Sequence, residues 1–207
     1  MVKLIPEMGR KKKYDRDNLV LKAMCIFREH GYAGTSTQML VEGLGVNRFS
    51  LYAEFDNKQK LFEAALERYN QENVERNFGP LEAPDAGAKE IRLLLEFFMS
   101  AIENPAAAGK GCLLCNTAVE FGAEDPSGAG FVQMYFNRIS KAYTKALNNE
   151  EASGKLRPGI SIHREADFLT TSTLGLFVMI RAAAPKDMVQ NAAKAAIDHL
   201  DGLIREA

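Results

Sequence analysis

Polar side chains stand at the starts of two short helical segments near the amino terminus. Thr35 and Ser36 precede the first segment, and Gln38 follows Thr35 at the spacing of a capping box, so either Thr35 or Ser36 can cap that helix. Gly45 ends the segment, and Asn47 caps the next one. Two short helices joined by a glycine-containing turn form a helix-turn-helix, whose first-turn amides can hold a phosphate. The pattern predicts a nucleic-acid contact at this end of the chain.

A second chemical pattern is the pair Cys112 and Cys115, which are separated by two residues. This spacing supports redox chemistry near a βαβ unit, but here it lies in a predicted helix. A place in the core or in a pocket wall is therefore the favoured interpretation. A pair of thiols that responds to oxidants is the alternative.

The sequence predicts no metal site, no cofactor and no catalytic set. The three histidines, His30, His163 and His199, are remote from one another and lack the spacing of metal ligands. No paired carboxylates and no nucleophile with a neighbouring base stand out. We therefore expect a binding protein rather than an enzyme.

Helices must position these residues, because apolar side chains recur at helical spacing wherever the sequence is regular. The stripe of Ile91, Leu94 and Phe98 is one example. No convincing alternating strand appears, and Gly, Pro and Asn residues separate the helical segments. The sequence predicts an all-α fold of about nine helices. An amino-terminal three-helix domain with the helix-turn-helix is expected over residues 1–56, and a larger helical domain over residues 57–207.

The charge is distributed unevenly, although the chain of 207 residues carries a formal net charge of only −1. Residues 1–60 contain 11 Lys and Arg against 7 Asp and Glu, whereas residues 61–207 contain 15 against 20. The positive excess is concentrated in the run from Arg10 to Lys13. Short basic runs commonly contact nucleic acid, but a frayed, solvated terminus has the same composition.

The composition excludes membrane proteins and disordered chains. Hydrophobic residues make up 46% and charged residues 26% of the chain, as in an ordinary globular protein. No apolar run approaches the roughly 18 residues that span a bilayer, and the start lacks the apolar stretch of a secretory signal. The odd number of cysteines, 3, suits a reducing compartment. We expect a cytoplasmic protein with no membrane partner.

The stretch from Gly31 to Leu66 resembles the amino-terminal domain of TetR/AcrR-type transcriptional regulators. The matching residues keep the order typical of that domain: Tyr32, Thr35-Ser36, Gly45-Val46, Ser50-Leu51-Tyr52, Phe55, Lys58 and Leu61-Phe62. The rest of the chain resembles the family in architecture, and the stretch GCLLCNTAVE over residues 111–120 is similar to one in a subset of these regulators. The resemblance implies double-stranded DNA, a small-molecule effector and a second copy of the chain as partners.

A recognition helix of this kind enters the major groove with polar side chains on its first turns. The expected DNA contacts lie on the starts of the second, third and fourth helices. Phe49 departs from the family, which usually has a small residue there, so it either contacts a thymine methyl or sugar edge or packs inside the domain. The full set of expected contacts is Thr35, Ser36, Thr37, Gln38, Asn47, Arg48, Phe49, Ser50, Tyr52 and Lys58.

Polar groups inside apolar stretches are candidates for an effector site, because a buried polar group needs a partner. Together with nearby aromatic residues, the candidates are Phe98, Asn116, Thr117, Glu120, Tyr135, Phe168 and Ser172. By resemblance, the last two helices pair with those of a second copy. The candidates for that interface are Leu176, Ala193, Ala196, Ile197 and Leu200.

These expectations combine into one function. The chain is expected to be a homodimeric, ligand-responsive repressor that binds a palindromic operator and releases it when a small, largely apolar molecule binds. The alternative is a regulator that senses redox state through Cys112 and Cys115.

Overall fold

The first three helices form the helix-turn-helix domain. A computed structural model describes residues 14–104, 109–122 and 129–205 of the chain. In it, α1 spans Arg16–His30, α2 spans Thr37–Leu44 and α3 spans Arg48–Phe55. The predicted starts of α2 and α3 are confirmed, because the side chains of Ser36 and Asn47 accept hydrogen bonds from first-turn amides, as the side chain of Asp15 does at the start of α1. The basic run from Arg10 to Lys13 lies outside the described residues.

One long helical segment leads from this domain into the rest of the chain. Helix α4, Lys58–Tyr69, continues through a π-helical turn, Asn70–Val74, into the short α5, Glu75–Phe78, and a 3₁₀ turn, Gly79–Glu82. The ring of Phe62 on α4 packs edge-on against that of Phe27 on α1, with centroids 4.9 Å apart. Helix α4 therefore shares a core with α1.

The larger domain is built from five further helices. These are α6 (Ala88–Ala101), α7 (Leu113–Phe121), α8 (Ala129–Ala152), α9 (Ile162–Arg181) and α10 (Lys186–Leu203). When α4 to α5 is counted as one helix, the described residues form nine helices, and their only pairing of β type is an isolated bridge between Leu156 and Ile204. The all-α prediction is confirmed. None of the described helices combines the length and the apolar character needed to cross a bilayer.

The core of the larger domain contains a buried polar pair. The hydroxyl groups of Tyr143 on α8 and Thr173 on α9 are 2.6 Å apart, and both side chains have no exposed surface. Burial raises the pKa of Tyr143, so the phenol stays protonated. This hydrogen bond sets the register between α8 and α9, since each hydroxyl needs the other as a partner.

Replacing Tyr143 with Phe leaves the Thr173 hydroxyl buried without its partner. We expect Tyr143→Phe to lower the free energy of unfolding by about 1–3 kcal/mol, measured by urea denaturation followed by circular dichroism. The double variant with Thr173→Val, which removes both hydroxyls, should regain most of that loss. Equal stability of Tyr143→Phe and the wild-type protein would show that the pair does not stabilise the core.

Candidate DNA-binding interface and interdomain junction

The start of α3 presents a basic and an apolar side chain to solvent. The Asn47 side chain accepts a hydrogen bond from the Ser50 amide at 2.8 Å, which fixes the first turn. Phe49 is 83% exposed, so the packing alternative for this residue is wrong and its ring is free to contact another molecule. The guanidinium of Arg48 lies 5.7 Å from the centre of the Tyr52 ring. This end of α3 has the shape and chemistry of a surface that reads base edges.

Helix α2 supports α3 through side-chain hydrogen bonds. The hydroxyl groups of Thr37 and Tyr52 are 2.7 Å apart, which joins the first turn of α2 to the middle of α3. Ser36 caps α2 by accepting a hydrogen bond from the Met39 amide at 3.1 Å. Gln38, two residues after the cap, donates to Glu42 at 2.5 Å on the exposed side. The polar side chains of α2 and α3 therefore form one continuous surface.

Thr35 does not belong to this surface. Its side chain has no exposed area, and its hydroxyl donates to the carbonyl oxygen of Gly31 at 2.5 Å. The prediction that Thr35 contacts DNA is corrected, because Ser36 is the exposed cap of α2 and Thr35 closes the preceding turn. The sequence left these two neighbours equivalent.

Lys58 begins α4, as predicted, but its side chain folds back onto the protein. Its ammonium nitrogen lies 4.2 Å from the centre of the Tyr32 ring, a cation–π geometry. Burial lowers the pKa of Lys58, and the nearby carboxylate of Glu120 partly offsets this effect. A phosphate contact by Lys58 requires this side chain to swing away from Tyr32.

Glu120 joins the larger domain to the turn between α1 and α2. Its two carboxylate oxygens accept hydrogen bonds from the backbone amides of Tyr32 at 2.8 Å and Ala33 at 2.6 Å. Gly31 makes this approach possible, because its φ is +73° and a Cβ there would lie 2.8 Å from a Glu120 oxygen. The rings of Tyr32 and Phe121 pack beside these hydrogen bonds, with centroids 5.5 Å apart.

The carbonyl end of α1 is held by two more side chains of the larger domain. Arg181, at the end of α9, donates from Nη1 to the carbonyls of Arg28 at 2.9 Å and Glu29 at 2.7 Å. Asn116 on α7 donates to the Arg28 carbonyl at 3.3 Å and to the Lys110 carbonyl at 2.8 Å. We call Asn116, Glu120 and Arg181 the junction residues, because together they satisfy backbone groups at the end of α1.

The predicted effector residues do not come together in one site. Asn116 and Glu120 are junction residues whose polar groups already have partners, and both also line a small pocket beside the junction. Phe98, Thr117 and Tyr135 are at most 1% exposed and belong to the core. The Thr117 hydroxyl donates to the carbonyl of Leu113 at 2.8 Å, the usual bond of a helical threonine.

Phe168 and Ser172 lie on the outer side of α9, away from the other candidates. The Phe168 ring is 43% exposed and packs against the His199 ring of α10, with centroids 4.5 Å apart. The Ser172 hydroxyl donates to the Phe168 carbonyl at 2.8 Å. Neither residue lines the cavities beside α7, so this part of the prediction is corrected.

A cavity of about 780 Å³ lies instead between α7, α8 and α9. Its wall is mainly apolar and includes Ala118, Val119, Val132, Phe136, Leu174 and Val178. Its polar lining residues, Gln133 and Thr171, are uncharged. A volume of this size accommodates a small organic molecule. Periodicity cannot distinguish such wall residues from core residues, because both lie on apolar helix faces.

The predicted interface residues on α9 and α10 face inward. Leu176, Ala193, Ala196, Ile197 and Leu200 are at most 7% exposed within the single chain. They belong to the core of the larger domain and are not available to a second copy, so this prediction is corrected. The outer side of α10 instead exposes Ala192 and Ala195.

Both cysteines of the C-x-x-C pair are buried. Cys112 and Cys115 are 1% and 3% exposed, and the Cys112 thiol donates to the Tyr135 hydroxyl at 3.3 Å. Burial, and to a smaller degree the neighbouring Cys112, raises the pKa of Cys115 to about 12. Reactive thiols have the opposite properties, exposure and a low pKa. Among the described residues, no group of His, Cys, Asp and Glu has the arrangement of a metal site.

Comparison with known proteins assigns both parts of the chain. A family model described as bacterial regulatory proteins, tetR family, matches residues 19–65, and one described as tetracyclin repressor-like, C-terminal domain, matches residues 87–196. The chain is 30% identical to YezE of Bacillus subtilis, named as an HTH-type transcriptional regulator, over 94% of this chain and 100% of that protein. It is 29% identical to the HTH-type transcriptional repressor ComR of Escherichia coli, over 85% of this chain and 84% of ComR.

A solved structure supports the fold. A cysteine mutant of the TetR family transcriptional regulator CifR, in complex with 26-bp operator DNA, superposes with a TM-score of 0.78. The match covers 92% of this chain and 98% of that one, at 23% sequence identity. The arrangement of helices described above is therefore that of a known fold.

The burial of the thiols predicts their reactivity. Near pH 8, iodoacetamide should modify the exposed Cys25 at least about a hundredfold faster than Cys112 or Cys115, because burial denies the reagent access to both and the raised pKa of Cys115 leaves little of its reactive thiolate. Mass spectrometry of peptides gives the three rates, and urea-unfolded protein is the control in which all three should react. Rapid modification of Cys115 in the folded protein would contradict its burial and favour the redox alternative.

Proposed function

The chain belongs to the TetR family of bacterial regulatory proteins and is a DNA-binding transcriptional regulator, and on this premise we propose how it works. In this proposal, a homodimeric repressor binds a two-fold symmetric operator and releases it when a small, largely apolar molecule occupies the cavity beside α7. The observation that carries the proposal is the position of α7, which lines the cavity and also holds the end of α1.

The DNA-binding surface is the amino-terminal half of α3 with the first turn of α2. Arg48, Phe49 and Tyr52 supply a guanidinium, an exposed ring and a hydroxyl, while Ser36 and Asn47 cap helices whose amino ends face outward. Groups of this kind contact base edges and phosphates. In a dimer, two such surfaces about 34 Å apart match successive major grooves on one face of DNA.

The outer sides of α9 and α10 are the proposed dimer interface. They expose Phe168 together with the small residues Ala192 and Ala195. Small residues permit helices to approach closely, and large exposed apolar side chains favour burial against a partner. A two-fold axis through this surface brings the same residues of both copies together.

A ligand in the cavity releases DNA only if it binds the DNA-incompetent arrangement more tightly than the competent one. Helix α7 offers a physical route for this difference. Ala118 and Val119 contact the cavity. Asn116, on the same helix, donates to a carbonyl at the end of α1, and Glu120 accepts amides of the turn that follows α1. A shift of α7 around a ligand therefore moves or releases the helix-turn-helix domain.

The domain boundary between residues 56 and 57 remains a prediction. Helix α4, which begins just after it, packs against α1 of the amino-terminal domain and against α7 of the larger domain. The proposal places the regulator in the cytoplasm, where it meets chromosomal DNA, and assigns it no catalytic activity. Redox sensing by Cys112 and Cys115 remains the alternative mechanism, and the alkylation rates above decide between the two.

The experiment that tests the proposal is selection of genomic fragments by the purified protein. Recovery of one palindromic sequence supports it, and recovery of unrelated fragments opposes it.

Phe49 provides a sharp test of the DNA surface. We expect Phe49→Ala to weaken binding to the selected operator about tenfold, since an apolar contact with a thymine methyl or sugar edge is lost. Binding to unrelated DNA of the same length should stay within about twofold, because phosphate contacts remain. Fluorescence anisotropy with labelled duplexes measures both affinities.

The control for Phe49→Ala is Leu93→Ala, which removes an apolar side chain that is 52% exposed on α6. It should leave both affinities unchanged. An operator affinity of Phe49→Ala equal to that of the wild type would remove Phe49 from the interface.

The cavity is tested with the uncharged fluorescent probe N-phenyl-1-naphthylamine. We expect the wild-type protein to bind the probe with increased fluorescence, and Ala118→Phe to lower its affinity at least about tenfold by filling the space. Ala53→Phe adds the same ring on the exposed side of α3 and should bind the probe like the wild type. Unchanged binding by Ala118→Phe would mean that the probe lies elsewhere.

A further inference from the structure

A second, smaller pocket lies beside the junction residues. It has a volume of about 260 Å³ and is lined by His30, Asn116, Glu120 and Arg181. Val119 and Val178 line this pocket and also line the 780 Å³ cavity. The two spaces therefore adjoin at these valines.

The two spaces differ in charge. The residues that line the large cavity carry no charged side chain among those the structure describes. The small pocket, in contrast, has a guanidinium and a carboxylate in its wall. A molecule that fills both spaces must therefore have an apolar body and a polar or charged head.

Two nitrogen atoms of Arg181 are available to donate hydrogen bonds to such a head group. Its three hydrogen bonds to the carbonyls of Arg28, Glu29 and Gly109 all leave from Nη1. Nε and Nη2 have no hydrogen-bond partner within the described ranges, and no described carboxylate forms an ion pair with this guanidinium. These two nitrogens form the side-on fork that binds the two oxygens of a carboxylate.

Glu120 is the weaker anchor for a ligand. Each of its oxygens already accepts a backbone amide hydrogen bond, at 2.8 Å from Tyr32 and 2.6 Å from Ala33. The ammonium of Lys58 is near enough for Glu120 to raise its pKa against the effect of burial. A cationic head would have to displace these partners, whereas an anionic head finds unused donors on Arg181.

We propose that the effector is an amphiphilic carboxylate whose apolar chain fills the large cavity and whose carboxylate binds Nε and Nη2 of Arg181. This inference rests on the proposed function and names its ligand class. Because the same guanidinium holds the carbonyls of Arg28 and Glu29, a carboxylate that draws it into the pocket weakens the hold on α1. The ligand thereby acts on the helix-turn-helix domain directly.

The test compares three probes of equal chain length: decanoate, 1-decanol and decylamine. Isothermal titration calorimetry with the full-length protein should show decanoate binding about tenfold or more tightly than 1-decanol, as expected for a charge-assisted pair of hydrogen bonds. Decylamine should bind no more tightly than 1-decanol. Decanoate should also release the selected operator at a lower concentration than 1-decanol does.

Two variants of Arg181 separate recognition from folding. Arg181→Met should lose the preference for decanoate and keep the affinity for 1-decanol within about threefold, since the large cavity is unchanged. Arg181→Lys keeps the charge but lacks the fork, so it should retain only part of the preference. Arg157→Met is the matched control, because Arg157 also donates to a backbone carbonyl, that of Ile204, but does not line either space. It should keep the full preference.

The outcomes distinguish this inference from the proposed function. Equal affinities for decanoate and 1-decanol, or an undiminished preference in both Arg181 variants, would overturn the carboxylate site while leaving an apolar effector in place. Tighter binding of decylamine would assign the head group to Glu120 and also overturn the inference. If neither decanoate nor 1-decanol displaces N-phenyl-1-naphthylamine or binds at all, both the inference and the apolar effector site are wrong.

Discussion

The contact on which the arrangement of the two domains depends is the pair of hydrogen bonds from the Tyr32 and Ala33 amides to Glu120. The last carbonyl groups of a helix lack partners within the helix and must find them elsewhere. The larger domain supplies partners for the carbonyls of α1 through Arg181 and Asn116, and Glu120 accepts the amides of the turn that follows α1. The position of the helix-turn-helix domain is therefore fixed by directional bonds, beside the less directional packing of aromatic rings.

Helix α7 connects this junction to the cavity, because it contributes residues to both. Its residues alternate between the cavity and the end of α1 because neighbouring residues on a helix point in different directions. A change on the cavity side reaches the junction within one helical turn, from Val119 to Glu120 or from Cys115 to Asn116. The proposed coupling between the cavity and the junction needs no long pathway, since α7 belongs to both sites. It does need two arrangements of α7 whose affinities for DNA and for ligand differ.

Local signals in the sequence were sufficient for the helix-turn-helix domain. Caps such as Asp15 and Asn47 act within three residues, so their patterns identify helix starts without any knowledge of the fold. The same information did not separate Thr35 from Ser36, because only the packed turn shows which of them is buried. The family resemblance added the DNA-facing surface, and the 83% exposure of Phe49 decided between its two interpretations.

The pocket and the interface could not be derived in this way, since they depend on contacts between distant residues. Asn116 and Glu120 were correctly recognised as polar groups that need partners, but the partners that matter for the junction lie at the end of α1 and in the turn after it, more than eighty residues away. On α10, the stripe containing Ala193 and Ala196 was apolar because it faces its own core. The small residues one position earlier, Ala192 and Ala195, were the signal for an outer surface.

The most direct test of the central claim is the rate of hydrogen exchange at the Tyr32 and Ala33 amides, measured with and without bound operator. If DNA binding and the position of α7 are coupled, these two rates should change about tenfold or more when the operator binds. The amides of the buried residues Ala193 and Ala196 on α10 should exchange at the same rate in both states. Unchanged rates at Tyr32 and Ala33 would show that the junction does not respond to DNA, which would contradict the account.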